Sequence, residues 1–460
     1  MHQSAEIPAG NLDAEATARP LTYSLAWYGC QMSEHDAEQM DALMAARGWR
    51  RTDDEFGADI VVINTCTVRQ GAEDRALARL QRLNGTKRRH PGKVIALCGC
   101  VAQKEGVELL DRFPFLDLVV GTRDFHELPR LIDLVRRRRE PIVATDSCSL
   151  PIAVEAPSIR QNPVRAFVNI MFGCNNHCTF CIVPRVRGRE VYRPLESILN
   201  EARDLAAQGY KEIYLLGQNV NSWKDAAARC DFSDLLAALD QITGLLRIRY
   251  TTSNPKDLRP RLIETVAGSR AVCENFHLPV QSGSSRVLRL MKRAYNRRQF
   301  LRLVARVREA IPDAVITTDI IVGFPGETDE DFRETLSLVE EVEFDSAFMF
   351  AYSPRPGTFA ARSLPDDVPP EVKHDRLQRL IALQEGISAR KNQALVGQTV
   401  EVLVDGPSRR YPHQVVGRTR GDKMVAFPGG TELVGRIVPV RIVRATSHSL
   451  VGEPAIACAL

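Results

Sequence analysis

The chain has 460 residues, 44% of them hydrophobic, with eleven cysteines and a formal net charge of +4. That length suffices for two to four domains with buried cores, and so small a net charge names no partner by itself. No apolar run reaches the ~20 residues of a membrane helix, and the first residues lack the basic start and apolar stretch of a secretory signal, so we expect a cytoplasmic protein with no membrane partner.

In chain order, residues 1–20 are polar and rich in small side chains and read as a disordered leader. Residues 21–140 alternate apolar strands (Tyr23–Tyr28, Ile60–Asn64, Val94–Leu97, Leu118–Val120) with amphipathic helices such as Asp36–Arg47 and Glu73–Leu83. That alternation predicts a small parallel α/β sheet. Three cysteines follow successive strands: Cys30 after the first, Cys66 after the second and Cys100 after the third. Neighbouring parallel strands end on one edge of a sheet, the usual ligand edge of open α/β folds. Each cysteine alone reads as a small buried apolar residue; all three at equivalent strand ends point to a metal site. Cys98 competes with Cys100 but falls within the strand, where a core thiol is the simpler reading. An odd cysteine count without an export signal argues against a disulfide scaffold. The basic runs 87–90 and 136–139 read first as solvated helix ends, with a role on a nucleic-acid backbone left open. Residues 141–163 carry Pro141, Pro151, Pro157 and Pro163 and read as a linker.

Residues 164–394 repeat strand–helix alternation on a larger scale. The strands Ala166–Met171, Glu212–Leu216, Arg247–Tyr250, Asn275–Leu278, Val315–Ile321 and Ser346–Phe350 give six βα units. Six make a partial barrel rather than the closed eight-fold one. A long polar helix over 370–395 ends this segment. Cys174, Cys178 and Cys181 lie on the loop after its first strand. Three thiolates can hold three irons of a 4Fe–4S cube, leaving the fourth iron for a small molecule. A structural zinc ion would want a fourth ligand, for which His177 is available. The spacing, with Gly173 ahead and Phe180 before the last cysteine, resembles the radical S-adenosylmethionine (SAM) superfamily, in which the open iron chelates SAM. Two strand ends fit that resemblance. Gly323-Phe324-Pro325 ends the fifth strand, where glycine lets backbone approach a flat ligand, and the superfamily holds the SAM adenine there. Gly217-Gln218 follows the second strand, where the superfamily holds the SAM amino group.

Residues 395–460 change character: Val400–Val404, Gln414–Arg418, Met424–Phe427 and Arg436–Ile442 are short, β-branched and separated by Gly and Pro. They predict a small antiparallel β-barrel. Arg409, Arg410, Arg418, Arg420 and Lys423 supply a basic group suited to an RNA backbone, whose binding would weaken as salt rises.

Taken together, the motifs resemble the methylthiotransferase family of radical SAM enzymes. The resemblance is carried by Gly29–Met32, Asn64–Arg69, Phe172–Pro184 with Arg187-Gly188-Arg189-Glu190, Leu215–Asn221, the string 277–284 and His448-Ser449-Leu450. It implies an N-terminal domain with three scattered cysteines, a central partial (β/α)6 radical SAM barrel and a C-terminal TRAM barrel that binds RNA. It further implies the branch that puts a methylthio group on carbon 2 of N(6)-dimethylallyladenosine at position 37 of tRNA. The cofactors implied are two 4Fe–4S clusters, one on Cys174, Cys178 and Cys181 and an auxiliary one on Cys30, Cys66 and Cys100. SAM is then the co-substrate, contacted by Phe180, Gly217, Gln218, Gly323 and Pro325. The partners implied are the tRNA anticodon stem-loop, a flavodoxin or ferredoxin reductant and a sulfur donor, with the enzyme a monomer. Carbon 2 of adenine bears a hydrogen of no useful acidity, so cofactor-borne radical chemistry answers a real chemical need. Three alternatives stay open: the same chemistry on threonylcarbamoyl-adenosine tRNA or a ribosomal-protein aspartate, simple radical methylation of RNA, and a non-catalytic iron–sulfur RNA-binding protein. Arg185, Ser33 and Asn254 depart from the residues usual in that branch.

Overall fold

The computed structural model describes residues 19–145 and 158–455; the expected leader to residue 18 and the middle of the expected linker lie outside the described residues. The N-terminal domain is a six-stranded parallel sheet in the order Arg50–Arg51, Thr22–Trp27, Ile60–Thr65, Val94–Gly99, Leu118–Val120, Ile142–Ala144. The two central strands, IVVINT and VIALCG, are buried at every position. Continuous apolar runs of this kind belong to parallel sheets covered by helices on both faces, and each face carries its own apolar core. Two strands were not expected. Arg50–Arg51 is too short and too charged to register as one. Ile142–Ala144 falls in the segment read as linker, and pairs with Leu118–Val120 at the sheet edge. An edge strand tolerates the preceding Pro141, whose missing N–H would break a central ladder.

In the central domain, Arg165–Asn169, Glu212–Leu216 and Arg247–Thr251 form one parallel sheet, and Asn275–His277, Val315–Val322 and Ser346–Ala351 form another. A single bridge, Ile248 to Val272, joins them into an open six-strand arc. Strand alternation sorts the side chains. Along Val315–Val322, Ile316, Thr318, Ile320 and Val322 are buried against the outer helices, while Val315, Thr317, Asp319 and Ile321 are half-buried and face inward. Three outer helices begin with reciprocal capping boxes, at Asp231, Asn296 and Thr328. The helix Pro370–Gln393 lies against the last strand.

The C-terminal domain is a closed five-stranded barrel, ordered Thr399–Pro407, Gln414–Arg418, Met424–Pro428, Leu450–Pro454, Ile437–Ala445. The fifth strand, Leu450–Pro454, was not expected, and it runs parallel to Met424–Pro428. A closed ring of five strands cannot alternate direction throughout, so the expected all-antiparallel barrel is corrected at that one seam. This barrel is latched to the central domain by buried arginines. Arg249 donates to the carbonyls of Thr419 and Arg420 at 2.6 and 2.7 Å and pairs with Glu212 at 2.7 Å. Arg247 donates to the carbonyls of Arg418 and Glu401.

Candidate functional site

All three domains meet around two adjoining cavities. The larger, about 490 Å³, is walled by Cys30, Cys66 and Cys100 on one side and by the inward residues of the central strands on another. The C-terminal barrel closes it with residues that include Lys423 and Met424. The smaller, about 340 Å³, is walled by Phe180, Cys181, Gln281, Ile321 and Tyr352. Val68, Arg69, Val183, Asp319 and Phe350 line both.

The N-terminal trio converges because each cysteine sits where a strand hands over to a helix. Cys30 caps the helix Gln31–Ala46, and Cys100 opens the helix Cys100–Glu105. Glycine makes the approach possible. Gly29 has φ +120°, and a Cβ there would lie 2.2 Å from Cys66 Cβ. Gly99 has φ +89°, and its Cβ would meet Asn64 Oδ1 at 2.4 Å. The neighbouring Cys66 holds the Cys30 thiol low, Cys30 and burial push the Cys66 thiol up, and Cys100 is within electrostatic reach of both. Burial pushes the Cys100 thiol up, opposed by the charge of Arg187. Arg187 is itself buried and paired with Asp36 at 2.6 Å, and its Nη1 has no hydrogen-bond partner among the described residues. Cys98 is wholly buried in the sheet core, where burial alone raises its thiol.

The second trio lies on the loop 173–182. Cys174 Sγ accepts from Asn176 N at 3.4 Å and Asn176 Nδ2 at 3.2 Å, which opposes the rise that burial gives its thiol. Cys178 Sγ accepts from Arg293 Nη1 at 3.3 Å. Burial and the neighbouring Cys178 push the Cys181 thiol up to about 12. Ile182, the next residue, packs with Val186 against Cys100, so the two trios face the same joint between domains. Thr122 and Arg123 of the N-terminal domain donate to the carbonyls of Val186 and Arg187 and close that joint.

The chemistry of this donor set fits iron–sulfur clusters. Buried thiols pushed up by desolvation stay ionised only beside positive charge, which cluster iron would supply. An unpaired buried guanidinium N–H wants an acceptor, which cluster sulfur would supply. Among the described residues, no group of three or more His, Cys, Asp or Glu side chains is placed to hold a single metal ion. His177 is exposed.

The other expected site residues divide. Gly217 and Gln218 line the larger cavity, and Gln218 Oε1 accepts from Gly173 N, tying that strand end to the cysteine loop. Phe180 lines the smaller cavity and meets Phe324 edge-on at 6.4 Å. Gly323 and Pro325 line neither; a Cβ on Gly323 would lie 2.3 Å from Lys373 Cγ, so the residue makes room for the helix Pro370–Gln393. Its N–H donates to Glu327 at 2.8 Å, and Glu327 pairs with Arg376 of that helix at 3.0 Å.

Among the basic residues, Arg409 and Arg410 are exposed on a barrel loop beside the exposed Tyr411. Arg418 pairs with Asp422 at 3.0 Å, and Lys423 with Asp345 at 3.2 Å. Arg420 holds Glu274 at 2.7 Å and donates to the carbonyls of Arg270 and Val272, which commits it to the domain contact. Ser33, Arg185 and Asn254 line neither cavity; Ser33 is buried 3.8 Å from Cys30 Sγ, Arg185 donates to Gly357 O at 2.8 Å, and Asn254 exchanges hydrogen bonds with Asn221. Cys273 is buried beside Arg249, and Cys230 lies on a short hairpin; Cys148 and Cys458 lie outside the described residues. Sequence reasoning passed over Arg293 and Phe348, and took Gln281 and Arg69 only as members of motif strings, with no role assigned. Gln281 adopts φ +73°, which no spacing pattern announces.

Comparison with known proteins gives three family matches: the Radical SAM superfamily over residues 168–339, the uncharacterized protein family UPF0004 over 22–121, and the TRAM domain over 393–455. Among curated proteins, the tRNA-2-methylthio-N(6)-dimethylallyladenosine synthase of Symbiobacterium thermophilum is 50% identical over 93% of each chain. Its namesake from Moorella thermoacetica is 46% identical over 94% of this chain and 98% of its own. Among solved structures, the radical S-adenosylmethionine methyltransferase TsrM from Kitasatospora setae, with cobalamin and a [4Fe-4S] cluster bound, matches at TM-score 0.55 and 15% identity. The match covers 75% of this chain and 77% of that one. At that identity the likeness is one of fold.

Proposed function

Because the chain belongs to the tRNA-2-methylthio-N(6)-dimethylallyladenosine synthase family, we propose that its two cysteine trios hold two 4Fe–4S clusters facing one substrate cavity. The enzyme is a tRNA methylthiotransferase of the radical SAM class. It acts on carbon 2 of N(6)-dimethylallyladenosine, next to the anticodon, and uses SAM and a 4Fe–4S cluster. The observation that carries the finer reading is the convergence of Cys30, Cys66 and Cys100 on a cavity adjoining the one walled by Cys181.

Cys174, Cys178 and Cys181 would hold the SAM-binding cluster, and Cys30, Cys66 and Cys100 the auxiliary one. When bound, the first supplies with SAM an electron and a hydrogen-abstracting carbon radical, and the second supplies the sulfur. The chain's own residues set the stage. Arg293 donates to Cys178 and to Pro279 O, at 2.8 Å for the latter, and so ties the cysteine loop to the 277–284 string. Arg187, fixed by Asp36, places a buried positive charge beside Cys30 and Cys100. Phe180 and Tyr352, each backed edge to face by the buried Phe324, give the smaller cavity an apolar, water-excluding wall suited to the SAM adenine. Gln218 braces the cysteine loop from the neighbouring strand, and Gly217 beside it lines the larger cavity.

A flavodoxin- or ferredoxin-type reductant, an external sulfur donor, a monomeric enzyme and a reducing cytoplasm complete the proposal; free thiols in this number belong in such a compartment. The exposed Arg409 and Arg410 are the proposed RNA-backbone contacts. The test uses anaerobically reconstituted, reduced enzyme with SAM and an anticodon stem-loop carrying dimethylallyladenosine. Mass spectrometry should find 5′-deoxyadenosine and the 2-methylthio nucleoside. SAM left uncleaved would favour the non-catalytic iron–sulfur alternative, and a methylated but sulfur-free product would favour simple methylation.

A further inference from the structure

Three large apolar side chains stand exposed inside the larger cavity, one from each domain: Val68 at 54%, Phe348 at 48% and Met424 at 43%. Val68 is on the loop after Cys66, Phe348 on the last central strand, and Met424 at the start of a C-terminal barrel strand. Exposed apolar surface gathered in a concave site marks a ligand rather than a folding defect.

Phe348 is also held in a set orientation. Its register partner Asp319 lies beside it on the inner face of the strands. His277 bonds Thr317 through Nδ1 at 2.9 Å, approaches Asp319 through Nε2 at 3.4 Å, and meets the Phe348 ring edge-on at 6.1 Å. The guanidinium of Arg69 covers one face of that ring at 4.7 Å from its centroid. Nearly half of Phe348 is exposed even so.

We infer that Phe348, with Arg69 behind it, is the stacking platform for the target adenine, and that Val68 and Met424 form the apolar flanks that read its dimethylallyl tail. The inference rests on the tRNA reading above and assigns its specificity residues. Single-stranded bases are read by stacking on aromatic rings and guanidinium planes, and a branched five-carbon tail wants apolar contacts. Because the three side chains come from three domains, the cage exists only in the assembled chain.

The test is equilibrium binding by fluorescence anisotropy, with anaerobic reconstituted holoenzyme and no SAM, so that nothing turns over. Three anticodon stem-loops are compared, carrying dimethylallyladenosine, adenosine or an abasic site at position 37. Phe348→Ala should weaken both base-bearing RNAs about 5- to 150-fold, the range for one base on one aromatic ring, and leave the abasic RNA unchanged; Phe348→Trp should retain binding. Val68→Ala and Met424→Ala should each reduce the preference for dimethylallyladenosine over adenosine about 4-fold, one buried methylene's worth. Equal loss on abasic RNA, or no loss from Phe348→Ala, overturns the platform. An unchanged preference in both flank variants overturns the tail contacts. Failure of the wild-type enzyme to bind any of the three RNAs would strike the tRNA reading itself and the inference with it.

Discussion

Gly29→Ala should remove the auxiliary cluster while leaving the SAM-binding one in place. The added Cβ would lie 2.2 Å from Cys66 Cβ and 2.8 Å from its Sγ, whereas ordinary contact begins near 3.4 Å, so the two must part by about 1.2 Å. Cys66 is fully buried and cannot swing aside. The backbone adds its own penalty, because φ +120° is closed to side-chain-bearing residues, at about 1–3 kcal/mol. Gly48→Ala is the control: its φ is +77°, but nothing lies within 4 Å of the added carbon. Iron and sulfide analysis of anaerobic protein should fall from about eight irons per chain to about four in Gly29→Ala, and stay near eight in Gly48→Ala. Gly29→Ala should still cleave SAM to 5′-deoxyadenosine but give no methylthio product above background. Full iron content together with full product formation in Gly29→Ala would refute the reasoning.

Arg187→Leu strands Asp36 as a buried, unpaired carboxylate and should cost about 3–5 kcal/mol in denaturant unfolding of the metal-free protein; adding Asp36→Asn should recover most of that, and an equal loss in both variants would count against the pair. Asp331 is held below the usual carboxylate range: burial would raise it, but hydrogen bonds from Arg286, Ser284 and Thr328 prevail. Its stabilisation is therefore present above about pH 4, the unfolded value, and fades as pH falls through the lower folded value. Unfolding midpoints should show the wild-type advantage over Asp331→Asn at pH 7 shrinking at pH 3, and a constant gap would contradict that sign. Replacing both Arg409 and Arg410 by Ala should weaken RNA binding and flatten the slope of log K against log salt by about 1.4–1.8, whereas Arg420→Ala should lower thermal stability with the slope kept.

Much of the site was legible because strand ends are legible. Cys30, Cys66 and Cys100 follow runs apolar enough to mark buried parallel strands, and parallel strands share an edge. The choice between Cys98 and Cys100 followed from the same rule: one lies inside the strand, the other opens the next helix. Long-range partners were not legible. Arg187 and Arg293 come to their thiols from distant segments, and a lone arginine carries no periodic signal. Gly323 was read as clearance for a ligand, yet the clearance serves Lys373 of a helix about fifty residues later. The basic barrel residues were grouped by charge, but charge does not reveal whether a carboxylate of the same chain is waiting; Glu274 and Asp345 were. Ile142–Ala144 and Leu450–Pro454 escaped notice because their short runs lie among Pro and Gly that read as loop.

The most direct test of the central claim is Mössbauer spectroscopy with iron quantitation on three anaerobic, ⁵⁷Fe-reconstituted proteins: the wild type, Cys30/Cys66/Cys100→Ala, and Cys174/Cys178/Cys181→Ala. Two clusters on separate trios predict about eight irons in the first and about four in each of the others, all as [4Fe–4S] signals. About four irons in the wild type, unchanged when the N-terminal trio is removed, would contradict it.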